Sequence, residues 1–276
     1  MEKAISFELH GQCLLGIVHQ PLNCHSAGVL IVVGGPQYRV GSHRQFVQLS
    51  RGLATQGIAS MRFDYRGMGD SEGQKQPFEA VCDDIKSAID AFCAETGLSQ
   101  LVIWGLCDAA SAAMIYAHKD NRVKGLVLLN PWLRSEAAMG KTMVRHYYLQ
   151  RLLSKDFWKK LLGGKINLGG SLKDAKGFVQ DSMATDNQMQ GSYQQRMQSG
   201  IEKFHGKICL VLSGVDLTAR EFEQQVIGNM AWSAVNNEQC EIHRLEQADH
   251  TFSASEFKRE LEKLTYSFVC SKLDKN

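Results

Sequence analysis

Apolar positions follow two alternating rhythms along this chain. Short, mostly apolar runs, the pattern of strands buried on both faces, occupy residues 28–33, 58–63, 101–104, 123–129 and 208–213. Between them the spacing turns helical. Phe46, Leu49, Leu53 and Ala54 predict one helix, ended by Gly57, and Ala80, Ile85, Ala88, Ile89 and Phe92 predict another, closed by Gly97. Further helices are predicted over 109–117, near 220–235 and over 256–270, with a short strand at 241–245. Residues 4–9 and 12–18, joined at His10-Gly11, read as a hairpin entering a sheet. Repeated strand–helix alternation predicts an α/β fold, with a mostly parallel central sheet and helices on both faces.

The alternation stops between residues 131 and 204. That stretch is helical in pattern, charged and rich in Gln and Met, with Gly163-Gly164 and Gly169-Gly170 as breakers. The expected organisation is therefore a core of 1–130 and 205–276 with a helical cap inserted at 131–204. Composition narrows the function. Lys and Arg number 31 against 29 Asp and Glu, a formal net charge of +2, so no bulk attraction to nucleic acid or anionic lipid is expected. No stretch approaches the roughly 20 apolar residues of a membrane span. Met1-Glu2-Lys3-Ala4-Ile5 lacks a basic start followed by an apolar run, so no signal peptide is expected. The eight cysteines form no C-x-x-C pair, which removes support for a zinc or redox motif. The expectation is a cytoplasmic protein with free thiols buried as small hydrophobes, and without metal or organic cofactor.

One cysteine stands apart by position. Leu101-Val102-Ile103-Trp104-Gly105-Leu106-Cys107-Asp108-Ala109-Ala110 runs from a buried strand through small residues straight into an Ala-rich helix. That is the context of a nucleophile elbow, G-x-S-x-G, with Cys107 at the centre and Gly105 and Ala109 as the small flanking residues. A thiol there sits at a helix N-terminus, where amides and dipole favour a thiolate. A nucleophile needs a base, and the base an orienting acid. His250 follows the last short strand and Asp216 follows the 208–213 strand and a glycine turn, giving the order Cys–Asp–His along one sheet edge. Asp216 also suits a helix N-cap, and the two roles compete. Asp249, adjacent to His250, is a poorer acid, and Glu136 is the reserve. For the oxyanion, backbone N–H groups are expected from Asp108 and from the loop Gly34-Gly35-Pro36-Gln37-Tyr38-Arg39. Pro36 has no N–H, which points to Gln37, with Gly35 as the alternative.

The segment Phe63-Asp64-Tyr65-Arg66-Gly67-Met68-Gly69-Asp70-Ser71-Glu72-Gly73 lacks the G-x-G-x-x-G pattern of a dinucleotide loop and reads as a brace for the site. With the G-G-P-Q loop, the G-x-C-x-A elbow, late Asp216 and late His250, the sequence resembles the α/β-hydrolase fold family over nearly its whole length. The 34–39 and 63–71 segments resemble most closely the type 1 hydrolases associated with the exosortase A system. That resemblance implies a cytoplasmic enzyme of an exopolysaccharide-making bacterium. A Cys nucleophile with His and Asp is similar to dienelactone hydrolase. The expected function is hydrolysis of an ester, thioester or lactone bond in a small acyl substrate, through a Cys-His-Asp triad and an acyl-enzyme. Two alternatives stand beside it. One is acyl transfer to a saccharide acceptor, and the other is a non-catalytic ligand-binding member of the fold.

Overall fold

In the computed structural model, residues 1–134 and 192–273 are described. The chain divides into two units, one of Met1–Leu133 with Arg196–Asn276, the other of Arg134–Gln195. The expected cap, 131–204, falls mostly on residues 135–191, outside the described residues. Glu136, the reserve acid, lies there too. Within the second unit the two chain ends are tied together: the Arg134 N–H donates to the Tyr193 hydroxyl at 2.9 Å, and Gln194 Nε2 donates to the Arg134 carbonyl at 2.9 Å.

The apolar runs become strands β3 (Ala27–Val32), β4 (Ser60–Phe63), β5 (Gln100–Leu106), β6 (Val123–Leu129) and β7 (Lys207–Ser213). The hairpin forms β1 (Glu2–Leu9) and β2 (Gln12–His19), and the last short strand is β8 (Cys240–Leu245). They make one eight-stranded sheet in the order β1-β2-β4-β3-β5-β6-β7-β8. Pairings from β4 to β8 are parallel, and β2 joins both β1 and β4 antiparallel. Every residue of β3 is buried, as expected of a strand covered on both faces. Helices α1 (Gln45–Thr55), α2 (Cys82–Thr96), α3 (Asp108–Tyr116), α4 (Tyr193–Glu202), α5 (Leu217–Val226) and α6 (Ser255–Leu273) alternate with the strands. The helix predicted near 220–235 is shorter than expected. It ends at Val226, where Ile227 turns extended ahead of Gly228 at φ 77°, and Asn229 starts a separate 3-10 turn, Met230–Trp232. Among the described residues no helix is long and apolar enough to cross a membrane.

Register places the site. Val32 pairs with Gly105, Leu106 with Leu129, Leu129 with Val211, and Ser213 with Leu245. The C-terminal ends of β3, β5, β6, β7 and β8 therefore end together, and the residues that follow them share one edge of the sheet. Strand order reverses at β3, whose neighbours β4 and β5 both lie later in sequence, which opens the crevice typical of ligand sites in open α/β sheets.

Two expectations meet different outcomes here. All eight cysteines are free, but only Cys209 is buried; Cys13 and Cys24 are exposed and the other five are half-buried. Burial of the thiols as a group was wrong, because Cys13 lies on the hairpin at the sheet's margin and Cys24 in the loop before β3. The glycine-spaced segment after β4 is a brace, as expected. Asp64 is fully buried and ion-pairs with Arg39 of the loop after β3. Its Oδ1 also accepts the Arg39 N–H at 2.6 Å. Gly69, at φ 53°, lets the turn close over Asp64, since a Cβ there would meet Asp64 Oδ2 at 2.1 Å. Ser71 Oγ donates to the Asp64 carbonyl at 2.7 Å and accepts the Leu15 N–H at 3.0 Å, joining the turn to β2. Arg39 also pairs with exposed Asp70, so removing the Asp64 carboxylate takes away the buried end of the pair and the acceptor of the Arg39 and Asp70 N–H groups. Asp64→Ala is therefore expected to lower stability by about 3 kcal/mol in urea unfolding, whereas a loss below about 1 kcal/mol would mean that the pair does not hold the loop.

Candidate active site

Cys107 occupies the turn between β5 and α3 at φ 61°, ψ −124°, a conformation that costs an ordinary L-residue about 1–3 kcal/mol. The backbone holds it there. The Cys107 N–H donates to the Leu129 carbonyl at 2.9 Å, and the Cys107 carbonyl accepts from the Ser111 and Trp132 N–H groups at 3.2 and 3.3 Å. Buried Ser111 closes the link, its Oγ donating to the Trp132 carbonyl at 2.8 Å. Gly105 is required by space: a Cβ would lie 2.8 Å from the Ala109 and Ala110 backbone. The elbow expected at G-x-C-x-A is thus formed, with Cys107 half-buried at the start of α3.

His250 and Asp216 come to the same edge. His250 Nδ1–H donates to Asp216 Oδ2 at 2.8 Å. The hydrogen bond to Asp216, then the interaction with the Cys107 side chain, outweigh burial and push the His250 imidazolium up to about 10. Burial works against ionisation of Asp216, yet the bond from His250, its charge, and the Ala219 and Thr218 N–H groups hold the carboxyl below its usual range. The two roles weighed against each other for Asp216 coexist. Oδ1 accepts the Thr218 N–H at 3.3 Å and Oδ2 the Ala219 N–H at 3.0 Å, capping α5 while Oδ2 also holds the imidazole. The cap fixes the carboxylate on a rigid element. Asp249 faces elsewhere, accepting the Ser253 N–H at 2.8 Å and the Ser253 hydroxyl.

Both expected oxyanion donors of the loop after β3 are engaged internally. The Gln37 N–H reaches the Gly34 carbonyl at 3.3 Å, and the Gly35 N–H donates to Asp108 Oδ2 at 2.9 Å. Sequence reasoning used only the Asp108 backbone. Its side chain ties the loop to the elbow, and Oδ1, buried without a hydrogen bond, packs where any Cβ on Gly34 would sit, 2.2 Å away. Burial raises the Asp108 carboxyl despite the facing N–H groups of Gly35, Ala109 and Asp108 itself. Asn130 was also missed. It is fully buried at φ 43° directly after β6, and its Nδ2 donates to Ser213 Oγ at 2.6 Å and to the His250 carbonyl at 3.0 Å, while its Oδ1 accepts the Ser213 N–H at 2.9 Å. One amide thus fixes the ends of β6 and β7 and the His250 loop. Asn tolerates the left-handed region better than most residues, and its position after a buried strand was the available signal.

Among the described residues one trio brings metal-ligating atoms within 4.8 Å of one another, Cys209, Glu241 and His243 on β7 and β8. The hydrogen bond between Cys209 and Glu241 accounts for part of that closeness. The trio shares no residue with the elbow.

The His250 shift sets a pH window. A histidine whose pKa rises on folding stabilises fully below its unfolded value near 6.5, and the gain is lost as pH climbs through its folded value of about 10. The melting-temperature gap between the parent and His250→Asn should therefore be widest near pH 6 and close by pH 10.5. A gap independent of pH across that range would refute the charged Asp216–His250 pair.

A family model described as "Serine aminopeptidase, S33" matches residues 25–204. No curated protein matches the chain by sequence. Among solved structures, the Pyrococcus furiosus esterase Pf2001 is similar at TM-score 0.69 and 14% identity, covering 99% of this chain and 92% of that one. Est1E from Butyrivibrio proteoclasticus, solved with ferulic acid bound, is similar at TM-score 0.63 and 14% identity, over 98% of this chain and 100% of its own. Proline iminopeptidase from Mycobacterium smegmatis is similar at TM-score 0.62 and 11% identity, over 98% of each chain.

Proposed function

The chain belongs to the serine aminopeptidase S33 family and has the α/β-hydrolase fold, and on that premise we propose that it is an acyl hydrolase whose nucleophile is Cys107. The observation that carries the reading is the linked arrangement at the elbow. Cys107 is held at φ 61° at the start of α3, close enough to His250 for the two side chains to interact, and His250 is hydrogen-bonded in turn to Asp216 at 2.8 Å.

In the proposed reaction Cys107 Sγ, its proton already held by His250 as an ion pair, attacks the carbonyl carbon of an ester, thioester or lactone. The carbonyl π pair moves onto oxygen, where the Asp108 N–H and an amide of the 34–37 loop stabilise it. The Gln37 N–H is the loop donor, because its internal bond to Gly34 at 3.3 Å is long and readily exchanged for a charged acceptor. Collapse re-forms the carbonyl, breaks the bond to the leaving group, and returns the His250 proton to it. A thioester acyl-enzyme remains. Water, deprotonated by His250, then adds to the thioester carbonyl, and the second collapse expels the Cys107 sulfur and releases the acid. Asp216 keeps Nδ1 protonated throughout, so that Nε2 handles the reacting proton.

Cysteine in a family described by serine chemistry favours thioesters and activated esters or lactones, since the thiolate adds well while alkoxide is the poorer leaving group of the first tetrahedral adduct. The 34–39 and 63–71 segments support assignment to the exosortase A-associated type 1 hydrolases. The inserted segment around 131–204 would set substrate choice. A non-catalytic reading would require a separated triad, and the Asp216–His250 and Cys107–His250 contacts speak against it.

The test is turnover of an aryl ester, a thioester and a lactone panel, with intact-mass and peptide-resolved detection of acylation. Peptide resolution is needed because Cys13 and Cys24 are exposed. The parent should carry the acyl group on Cys107, and Cys107→Ala should lose about 10³-fold or more in kcat/KM. An alanine variant that turns over as well as the parent removes Cys107 from the mechanism. Adding a saccharide acceptor and finding acylated sugar in place of free acid would convert the reading to acyl transfer.

A further inference from the structure

A crevice of about 320 Å³ opens between α1 and α6 over the face of β5, and contains none of Cys107, Asp216 or His250. That volume is at the lower end of small-molecule sites. Its lining combines three kinds of surface. Leu49 and Leu261 are buried apolar walls. Gln45 and Trp104 also line it, 4% and 0% exposed, and three of their polar atoms are buried without a partner: Gln45 Nε2, Gln45 Oε1 and Trp104 Nε1. Lys258 and Arg259 stand on its α6 side, and neither forms an ion pair among the described residues.

Buried amide and indole groups left without hydrogen bonds each cost free energy, so native proteins rarely leave several together. Three on two residues, lining one crevice, mark a place where a bound group completes the hydrogen bonding. The donors set the chemistry. The Trp104 N–H requires an acceptor, the Gln45 amide offers two N–H donors and an acceptor oxygen, and Lys258 with Arg259, whose Nε also donates to the Ser255 carbonyl at 3.2 Å, call for negative charge. Glu262 also lines the crevice, but its Oε1 is taken by Gln56 Nε2 at 2.9 Å. We propose that this crevice is a second ligand site, distinct from the elbow, for a small organic carboxylate with a flat apolar body. The carboxylate lies toward Lys258 and Arg259, the body rests between Leu49 and Leu261, and a polar atom of the ligand meets Trp104 and Gln45. Trp104 lies on β5 three residues before Cys107, so the floor of this site and the elbow share one strand. The inference does not depend on the Cys107 reading.

Benzoate is a suitable probe, with benzyl alcohol as its uncharged counterpart. The protein is labelled with ¹⁵N-tryptophan, and the indole signals of the four tryptophans are assigned by single Trp→Phe variants. If Trp104→Phe does not fold, the other three assign its signal by elimination. Benzoate should shift the Trp104 indole signal saturably. In Lys258→Met/Arg259→Met, and separately in Gln45→Leu, its Kd should rise by about tenfold or more. Benzyl alcohol should bind more weakly than benzoate to the parent, and equally to the parent and the double Met variant. A Trp104 signal unmoved by benzoate overturns the proposal and leaves water as the partner of the orphaned groups. So does a Kd unchanged in the double Met variant, or equal affinity for the alcohol.

Discussion

A cysteine at φ 61° survives only where its surroundings fix it, and the turn at Cys107 is the constraint on which the rest of the site depends. The N–H is bound to the end of β6, the carbonyl to α3 and to Trp132, and Gly105 yields the space that any side chain would take from α3. The local cost of about 1–3 kcal/mol is met by packing and hydrogen bonding of two strands and a helix that are almost entirely buried. In return the thiol stands at the start of a helix, at the end of the strand.

The other components reach the same edge through strand register. Parallel strands whose C-terminal ends are aligned bring five loops together, and the chain places one chemical group in each. The β3 loop carries amides, β5 the thiol, β6 Asn130, β7 Asp216 and β8 His250. Buried polar groups stitch these loops to one another. Asn130 joins β6 to β7 and the His250 loop, Asp108 joins the elbow to Gly35, and Asp64 joins the turn after β4 to Arg39. In a low-dielectric surround such bonds are directional and costly to break, so they hold reactive groups to a narrow geometry. Asp216 shows the economy of the arrangement, since the carboxylate that caps α5 also orients the imidazole.

Unspent polarity remains in two places, at the elbow and in the crevice between α1 and α6. Asp108 keeps a buried oxygen without a hydrogen bond, and the crevice under α1 and α6 keeps three unpartnered atoms. A chain selected for stability alone would replace such groups by apolar ones of similar shape. Their presence around the Cys107 turn and over the strand that leads into it fits a protein in which binding, rather than packing alone, decides these positions.

The α/β architecture was legible in the residues because buried parallel strands must be apolar on both faces and amphipathic helices must repeat every 3.6 residues, so both leave periodic marks. The elbow was legible for a similar reason: only small residues at 105 and 109 allow the turn, and the strand and helix around it are themselves periodic. Chain order then picked out Asp216 and His250. What sequence spacing could not resolve were contacts between residues far apart in the chain. Whether Asp216 caps a helix or holds a histidine depends on where the His250 loop lies 34 residues later, and the answer is both. The exposure of Cys13 and Cys24 depends on the sheet's margins, not on cysteine chemistry. The roles of Asn130 and of the Asp108 carboxyl arise from partners 83 and 73 residues away, and such pairings leave no local periodicity to read. Local physics determined the elements and the strained turn; tertiary packing alone decided which polar groups meet, because a hydrogen bond is specified by position in space and only weakly by residue type.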